Sequence, residues 1–422
     1  MKIAVIGTGI SGMLAARLLS EDNEVHVFEA NDYVGGHTNT VEVDTFGRSY
    51  SVDTGFMVFN HRTYPNFVRM LRLLDIPEQD SDMSFSVRCL RTGLEYQGSS
   101  LNGLFAQRHN IVRPTFHGML LDILRFNRRA LELLDADTED ICLGEFVDRH
   151  RFGREFIDHY LIPMGASVWS ARPEDFRNFP ARFIIRFFDN HGLLKLGGRP
   201  PWKTIPGGAI RYVRELMRPL SDRIRLGCPV TSVTRGDGGI RVETAGDGLE
   251  QFDAVVMASH ADQTLRMLTD PSPAEQEILG AFPYQDNEAI VHTDASLLPK
   301  RKRAWASWNY SIPRQADLPV VLTYNLNRLQ RHESPRPICV TLNSVESIDP
   351  EKVLSRIKYE HPVYSNAALS AQKRFPEING KRGTYFCGAY WGHGFHEDGV
   401  NSALAVADCF GASLDSCKAA ST

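Results

Sequence analysis

Three glycines and a carboxylate are spaced in this chain as a dinucleotide-holding turn requires. The stretch IAVIGTGISG carries Gly7, Gly9 and Gly12, with Ile10 and Ser11 inside the turn. Gly7 suits the tight turn, Gly9 lets the backbone approach a pyrophosphate, and Gly12 allows a helix to pack closely. Glu29, with Ala30 beside it, follows Gly12 by seventeen residues. A carboxylate there accepts hydrogen bonds from both ribose hydroxyls of an adenosine and repels a 2′-phosphate. The competing reading is a plain turn and a solvated strand end, and the complete pattern favours a nucleotide.

The elements that must position these residues are legible around them. Ile3 to Ile6 form a continuous apolar run, as a parallel strand buried on both faces does. Met13 to Leu19 have the spacing of a helix that packs back on the sheet, and VHVFEA reads as a second strand ending in the acid. The order is strand, glycine turn, helix, strand.

Bulk properties narrow the rest. A chain of 422 residues predicts two packed lobes rather than one core. Hydrophobic residues at 42% and charged residues at 23% are ordinary for a globular protein, and a net charge of -4 supplies no global field for nucleic acid. The seven cysteines form no CxxC pair, which argues against a disulfide framework or a thiolate metal site and for a reducing, cytoplasmic setting. No HxH or HExxH spacing points to a metal. Neither a secretory signal nor an apolar run of about 18 residues is expected.

The stretch NDYVGGHTNTVEVDTFGRSYSVDTGFMVF does not continue as the helix-strand repeat of an NAD-binding domain. Together with the opening motif and the closing stretch GTYFCGAYWGHGFHEDGVNSALAVADCF, it resembles the flavin-containing amine oxidase and phytoene desaturase superfamily. That resemblance implies an α/β fold: a Rossmann-like, GR2-type FAD-binding domain with an inserted α+β substrate domain. It implies FAD contacts at Gly35, Gly36, His37, Thr38, Thr54 and Gly55, and at Val230 beside adenine. Ser51 to Phe59 would be the strand carrying Thr54 and Gly55. Gly388 would end the last strand, and Gly399 would open the last helix with the amides of Val400 and Asn401 toward the flavin. His37 stands where the superfamily often has arginine. The boundaries expected are 1–80, 202–265 and 366–422 for the cofactor domain, and 81–201 and 266–365 for the substrate domain.

Catalytic candidates lie in the closing loop: His396, as a neutral imidazole able to take a proton, with Tyr390 and Trp391. Glu397 and Asp398 read equally well as helix-capping acids. Trp308, Asn309, Tyr310 and Tyr324, on strands within 284–343, suit the wall of a cleft for a long apolar substrate. AWASWNY, YNLNRLQ and YWGHGFHEDG look most like a bacterial branch of FAD-dependent oxidoreductases linked to fatty acyl modification. The resemblance thus implies dehydrogenation of a lipid-like substrate, with oxygen or a quinone as electron acceptor. Amine oxidation, double-bond isomerisation and a non-catalytic flavin-binding subunit are the alternatives. Residues 111 to 135 predict an amphipathic helix with a basic edge, suited to core packing or to a peripheral membrane contact, to which the PKRKR run at 299–303 adds charge.

Overall fold

A computed structural model describes residues 1–135, 141–169, 173–195, 197, 200–246, 248–315, 318, 321–344 and 348–416. Cys417 and the rest of the C-terminal tail lie outside them. The apolar run at the start becomes the strand Lys2–Ile6, the centre of a five-stranded sheet that is parallel throughout. Its order is Thr384–Phe386, Ala254–Met257, Lys2–Ile6, Glu24–Phe28, Ile224–Arg225. Ile3, Ala4 and Val5 are fully buried, as a strand covered on both faces must be. The helices Ile10–Leu19 and His396–Asp408 pack on one another over this sheet, joined in one apolar core by Leu14, Val400, Ala403 and Tyr212.

A second sheet has seven strands, in the order Val353–Pro362, Tyr284–His292, Cys339–Leu342, Val321–Asn325, Trp308–Ile312, Phe85–Cys89, Glu95–Gln97. All its pairings are antiparallel except Trp308–Ile312 with Phe85–Cys89. Its strands are thus drawn from two stretches that are distant in sequence. The helices Pro114–Asp135, Ile162–Trp169 and Ala181–Asn190 share a core with its Phe85 edge through Phe116, Met119, Phe126, Phe187 and Val87.

Two expectations about elements change. The strand expected over 51–59 runs over Arg48–Asp53 and forms a hairpin with Thr40–Thr45, so Thr54 and Gly55 follow it in a turn. The last helix opens at His396, not at Gly399, whose amide already donates to Phe395 O within the first turn. The capping group is Asp398, whose Oδ2 accepts from the amides of His393 at 3.0 Å and Phe395 at 2.9 Å. Gly399 serves packing instead, since a Cβ there would sit 2.7 Å from Ile10 Cγ2 on the facing helix.

One residue fastens the hairpin to the start of the helix Ile210–Met217 and to the end of the short helix Leu326–Leu329. Asp53 Oδ1 accepts from Thr40 Oγ1 at 2.5 Å and from the Ala209 amide at 2.9 Å, while Oδ2 accepts from Gln330 Nε2 at 2.7 Å. Burial pushes its carboxyl up to about 7, against the pull of those donors.

Candidate active site

A single cavity of about 1260 Å³ runs from the glycine turn to the seven-stranded sheet. Its nucleotide end is made largely of backbone. Gly7, Gly9, Ile10 and Ser11 line it where the helix Ile10–Leu19 begins, with no side-chain cap and no acid in the first turn. The unpaired amides of such a helix start favour an anion. A Cβ on Gly9 would meet nothing within 4 Å, whereas one on Gly12 would sit 2.0 Å from Gly7 O. One glycine therefore keeps space open in the cavity and the other lets the helix approach the turn.

Glu29, Ala30 and Val230 line the same end. Glu29 is nearly buried and already oriented: Oε2 accepts from the Thr8 amide at 2.9 Å and Thr8 Oγ1 at 2.5 Å, and Oε1 from the Asn31 amide at 2.9 Å. Gly35 and Gly36, both at positive φ, fold the next turn over the first, so that a Cβ on Gly36 would lie 3.1 Å from Gly9 Cα. Gly55 closes under His37, whose carbonyl a Cβ at position 55 would meet at 2.2 Å. Thr38 and Thr54 complete this wall.

His37 faces the cavity with an unsatisfied group. Its ring stacks on Tyr359 with centroids 4.8 Å apart and lies near His361 and His260. Burial first, and the neighbouring histidines next, hold it well below the ordinary imidazole range. Nε2 has no hydrogen-bond partner among the described residues. An orphaned buried nitrogen, an uncapped helix start, an oriented carboxylate and the open space at Gly9 fit a bound dinucleotide. Gly9, Ser11, Glu29, Gly36, His37 and Val230 would hold it.

The closing loop joins this end to the other. Gly388 and Tyr390 line the cavity, whereas Trp391, Gly12, Gly399 and Val400 stand behind the wall. Val400 is fully buried in the core under the five-stranded sheet. His396 lines the cavity and stacks on Phe56 with centroids 3.5 Å apart. Its Nε2 is hydrogen-bonded to Thr38 Oγ1 at 2.9 Å and Tyr212 OH at 3.0 Å, and burial drives its pKa down to about 3. Glu397 reaches away from the cavity and accepts the amides of Asn66 and Phe67, both at 2.9 Å, capping the helix Pro65–Leu73. Both acids thus act as caps.

The far end is built from side chains. Trp308 and Tyr324 sit opposite each other in register and meet edge to face at 5.1 Å, both on the cavity wall. Asn309 and Tyr310 do not line it. The Asn309 amide is committed to Ala306 and Thr323 O, and Tyr310 belongs to the helical core. The residues missed in sequence come from the helices: Met164, Val168, Trp169, Phe187 and His191, with Trp202 and Phe395 beside them. Phe187 stacks on His191 at 3.9 Å and on Phe395 at 4.9 Å. Aromatic density between 183 and 202 was the one available signal. Burial holds His191 and His393 at about 4, so both are neutral at physiological pH.

This geometry defines a class: a Rossmann-type dinucleotide site opening into an aromatic chamber under a second sheet. The model of the flavin containing amine oxidoreductases matches residues 10–294, and the chain belongs to that family. FAD is the cofactor of this family and of this chain. The carotenoid phi-ring synthase of Streptomyces griseus is 28% identical over 294 residues, 64% of this chain and 54% of the relative. The 4,4′-diapophytoene desaturase of Staphylococcus aureus is 51% identical over 47 residues, 11% of this chain and 9% of the relative. The chain thus spans about half the length of the first relative and far less of the second. Cyclohexylamine oxidase from Brevibacterium oxydans shares the fold, with a TM-score of 0.69 at 13% identity over 97% of this chain and 99% of its own.

Proposed function

We propose that the chain dehydrogenates a long, apolar acyl substrate, introducing a double bond. One observation carries this reading: the part of the cavity wall formed by Trp308, Tyr324, Leu342, Met164, Val168 and Phe187 carries no charge. Apart from Glu29 and Arg266 at the nucleotide end, the cavity's Asp, Glu, Lys and Arg lining residues are Asp286, Glu288, Lys358 and Glu360. These four come from the paired strands Tyr284–His292 and Val353–Pro362, on one side. Trp308, Tyr324, Leu342, Met164, Val168 and Phe187 offer an acyl chain apolar contact and exclude water from it.

Bound FAD supplies a two-electron oxidant for a carbon–hydrogen bond, with dioxygen or a quinone as the final acceptor. His396 is suited to holding the Gly36–Thr38 turn, because Nε2 is engaged by two hydroxyls and its pKa lies far from neutrality. We therefore assign it a positioning role in place of the base its sequence context suggests. The desaturase relative is consistent with hydrogen removal. Amine oxidation is the second reading, favoured by the aromatic pair Trp308 and Tyr324.

Anaerobic mixing of FAD-loaded protein with a long-chain acyl phospholipid, the free fatty acid and the alkylamine of equal length separates the two. Loss of the flavin's visible absorbance with an acyl compound is expected. Reduction by the amine alone would overturn the acyl assignment.

A further inference from the structure

The helix Pro114–Asp135 has two faces, and only one is used by the core. Phe116, Met119, Phe126 and Ala130 are buried. His117, Leu121, Leu124 and Arg128 lie on the opposite side, and all four are exposed. This outer stripe continues beyond the helix. His117 Nε2 is 2.7 Å from Ile111 O, bringing the first turn against the preceding segment, where Val112 is 79% and Ile111 51% exposed. Phe105 packs on Phe116 and His117, and Arg108 donates to Phe105 O and to Asn102 Oδ1 at 2.6 Å. The short helix Leu101–Leu104, where Leu101 is 76% exposed, packs against Lys302–Ala304. Most of the large exposed hydrophobic side chains of the described residues are gathered on this one face.

Its exposed charge is mostly basic, the carboxylate of Glu95 being buried beneath the 300–303 run and accepting the amides of Lys300 and Arg301. The chain has no acid from Gly98 to Leu121 or from Pro299 to Ala306. Arg108 and Arg113 use donors on Phe105 O, Asn102 Oδ1 and Thr115 Oγ1. Lys300, Arg301, Lys302 and Arg303 are exposed, and Lys302 lies over the Trp305 ring at 5.8 Å. Arg125, Arg128 and Arg129 are paired with Asp122 and Glu132 and add little. Protruding apolar side chains ringed by unpaired cations suit insertion at an anionic lipid interface. Two copies of this face would oppose like charges.

We propose that this face, from Leu101 through Leu124 with the 300–303 run, docks on the surface of an anionic phospholipid bilayer. The core behind it, which holds Phe116 and Met119, also holds Met164, Trp169 and Phe187 of the cavity wall. The docking face and the substrate end of the cavity thus rest on one shared core. The contact is peripheral, because no helix among the described residues is long and apolar enough to cross a membrane.

Vesicle flotation of the FAD-loaded protein tests this without any turnover, so it stands or falls apart from the acyl assignment. The vesicles are phosphatidylcholine alone and an equal mixture with phosphatidylglycerol. Wild type is expected to float with the mixture at low salt and to be released by high salt. An Ile111→Ser, Val112→Ser double variant is expected to lose about tenfold or more in partitioning. Neutralising Lys300, Arg301, Lys302 and Arg303 to Gln is expected to cost at least about tenfold on the anionic vesicles. Leu249→Ser, at an exposed leucine of the strand Gly248–Phe252, is expected to float as wild type does. Flavin absorbance and melting temperature check that each variant is folded. Failure of wild type to float with the mixture, or unchanged flotation of the Ile111, Val112 variant, would overturn the proposal. So would a wild-type dimer that the same variant splits without any vesicle binding, which would make the face a contact between copies.

Discussion

The two ends of the cavity are built by different means. The nucleotide end is mostly backbone: glycines that admit close approach, an uncapped helix start, and Glu29 fixed by neighbouring amides. The substrate end is side chain packed on side chain, with Phe187, His191 and Phe395 in a stack, Trp308 against Tyr324, and histidines kept neutral by burial. Backbone geometry serves a cofactor common to many enzymes, while side chains set what is placed beside it.

Glycine substitutions challenge this contrast most strongly. Gly12→Val puts atoms on Gly7 O, and we expect loss of several kcal/mol of stability, about 4 or more, together with the flavin. Urea denaturation and flavin absorbance read both. The substrate end is probed by acid. His191, His361 and His393 sit at about 4 and His396 at about 3, below their unfolded value of 6.5, so the unfolded chain takes up protons first. Stability is therefore expected to fall as pH drops from about 6.5 toward 4, and His191→Gln with His393→Gln should flatten that slope. An unchanged slope in the double variant would mean these rings are not held neutral.

Gly9→Ala sharpens the comparison at the other end. Its methyl group enters open space, so we expect wild-type stability without cofactor but FAD affinity lower by about a hundredfold, read by titration. Equal FAD affinity would remove Gly9 from the cofactor's path. The smallest effect concerns the Asp53 fastening, which belongs to neither end. Its pKa is raised from 3.8 to about 7, so the folded state holds the proton longer and stability from this group declines as pH rises across that window. Asp53→Asn should remove that decline and, because the buried histidines act with the opposite sign, widen the difference between denaturation midpoints at low and neutral pH.

How far each end is legible in sequence follows from the same contrast. The glycine turn, Glu29 and the flanking strands lie within the first 29 residues, where spacing alone constrains geometry. The aromatic chamber is assembled from segments around 164, 187, 202, 308, 324 and 395, and no local period links them. His396 illustrates the limit. Its residue type and loop suggest a base, but its partners Thr38 and Tyr212 lie 358 and 184 residues away and give it a buried, neutral, fixed ring. Gly399 misled for a related reason: a glycine near a helix start reads as its opening, whereas this one permits contact with Ile10 across two helices. Along the strand Trp308–Ile312, alternation puts Asn309 away from the cavity, and the helical core claims Tyr310.

The division of labour is tested most directly by anaerobic reduction of FAD-loaded Trp308→Ala with an acyl substrate that reduces wild type. Trp308 lines the substrate end, and its Nε1 has no hydrogen-bond partner among the described residues. Wild-type FAD content is expected, with loss of flavin absorbance slowed by about tenfold or more. FAD content lowered in proportion to the rate, or reduction as fast as wild type, would contradict that division.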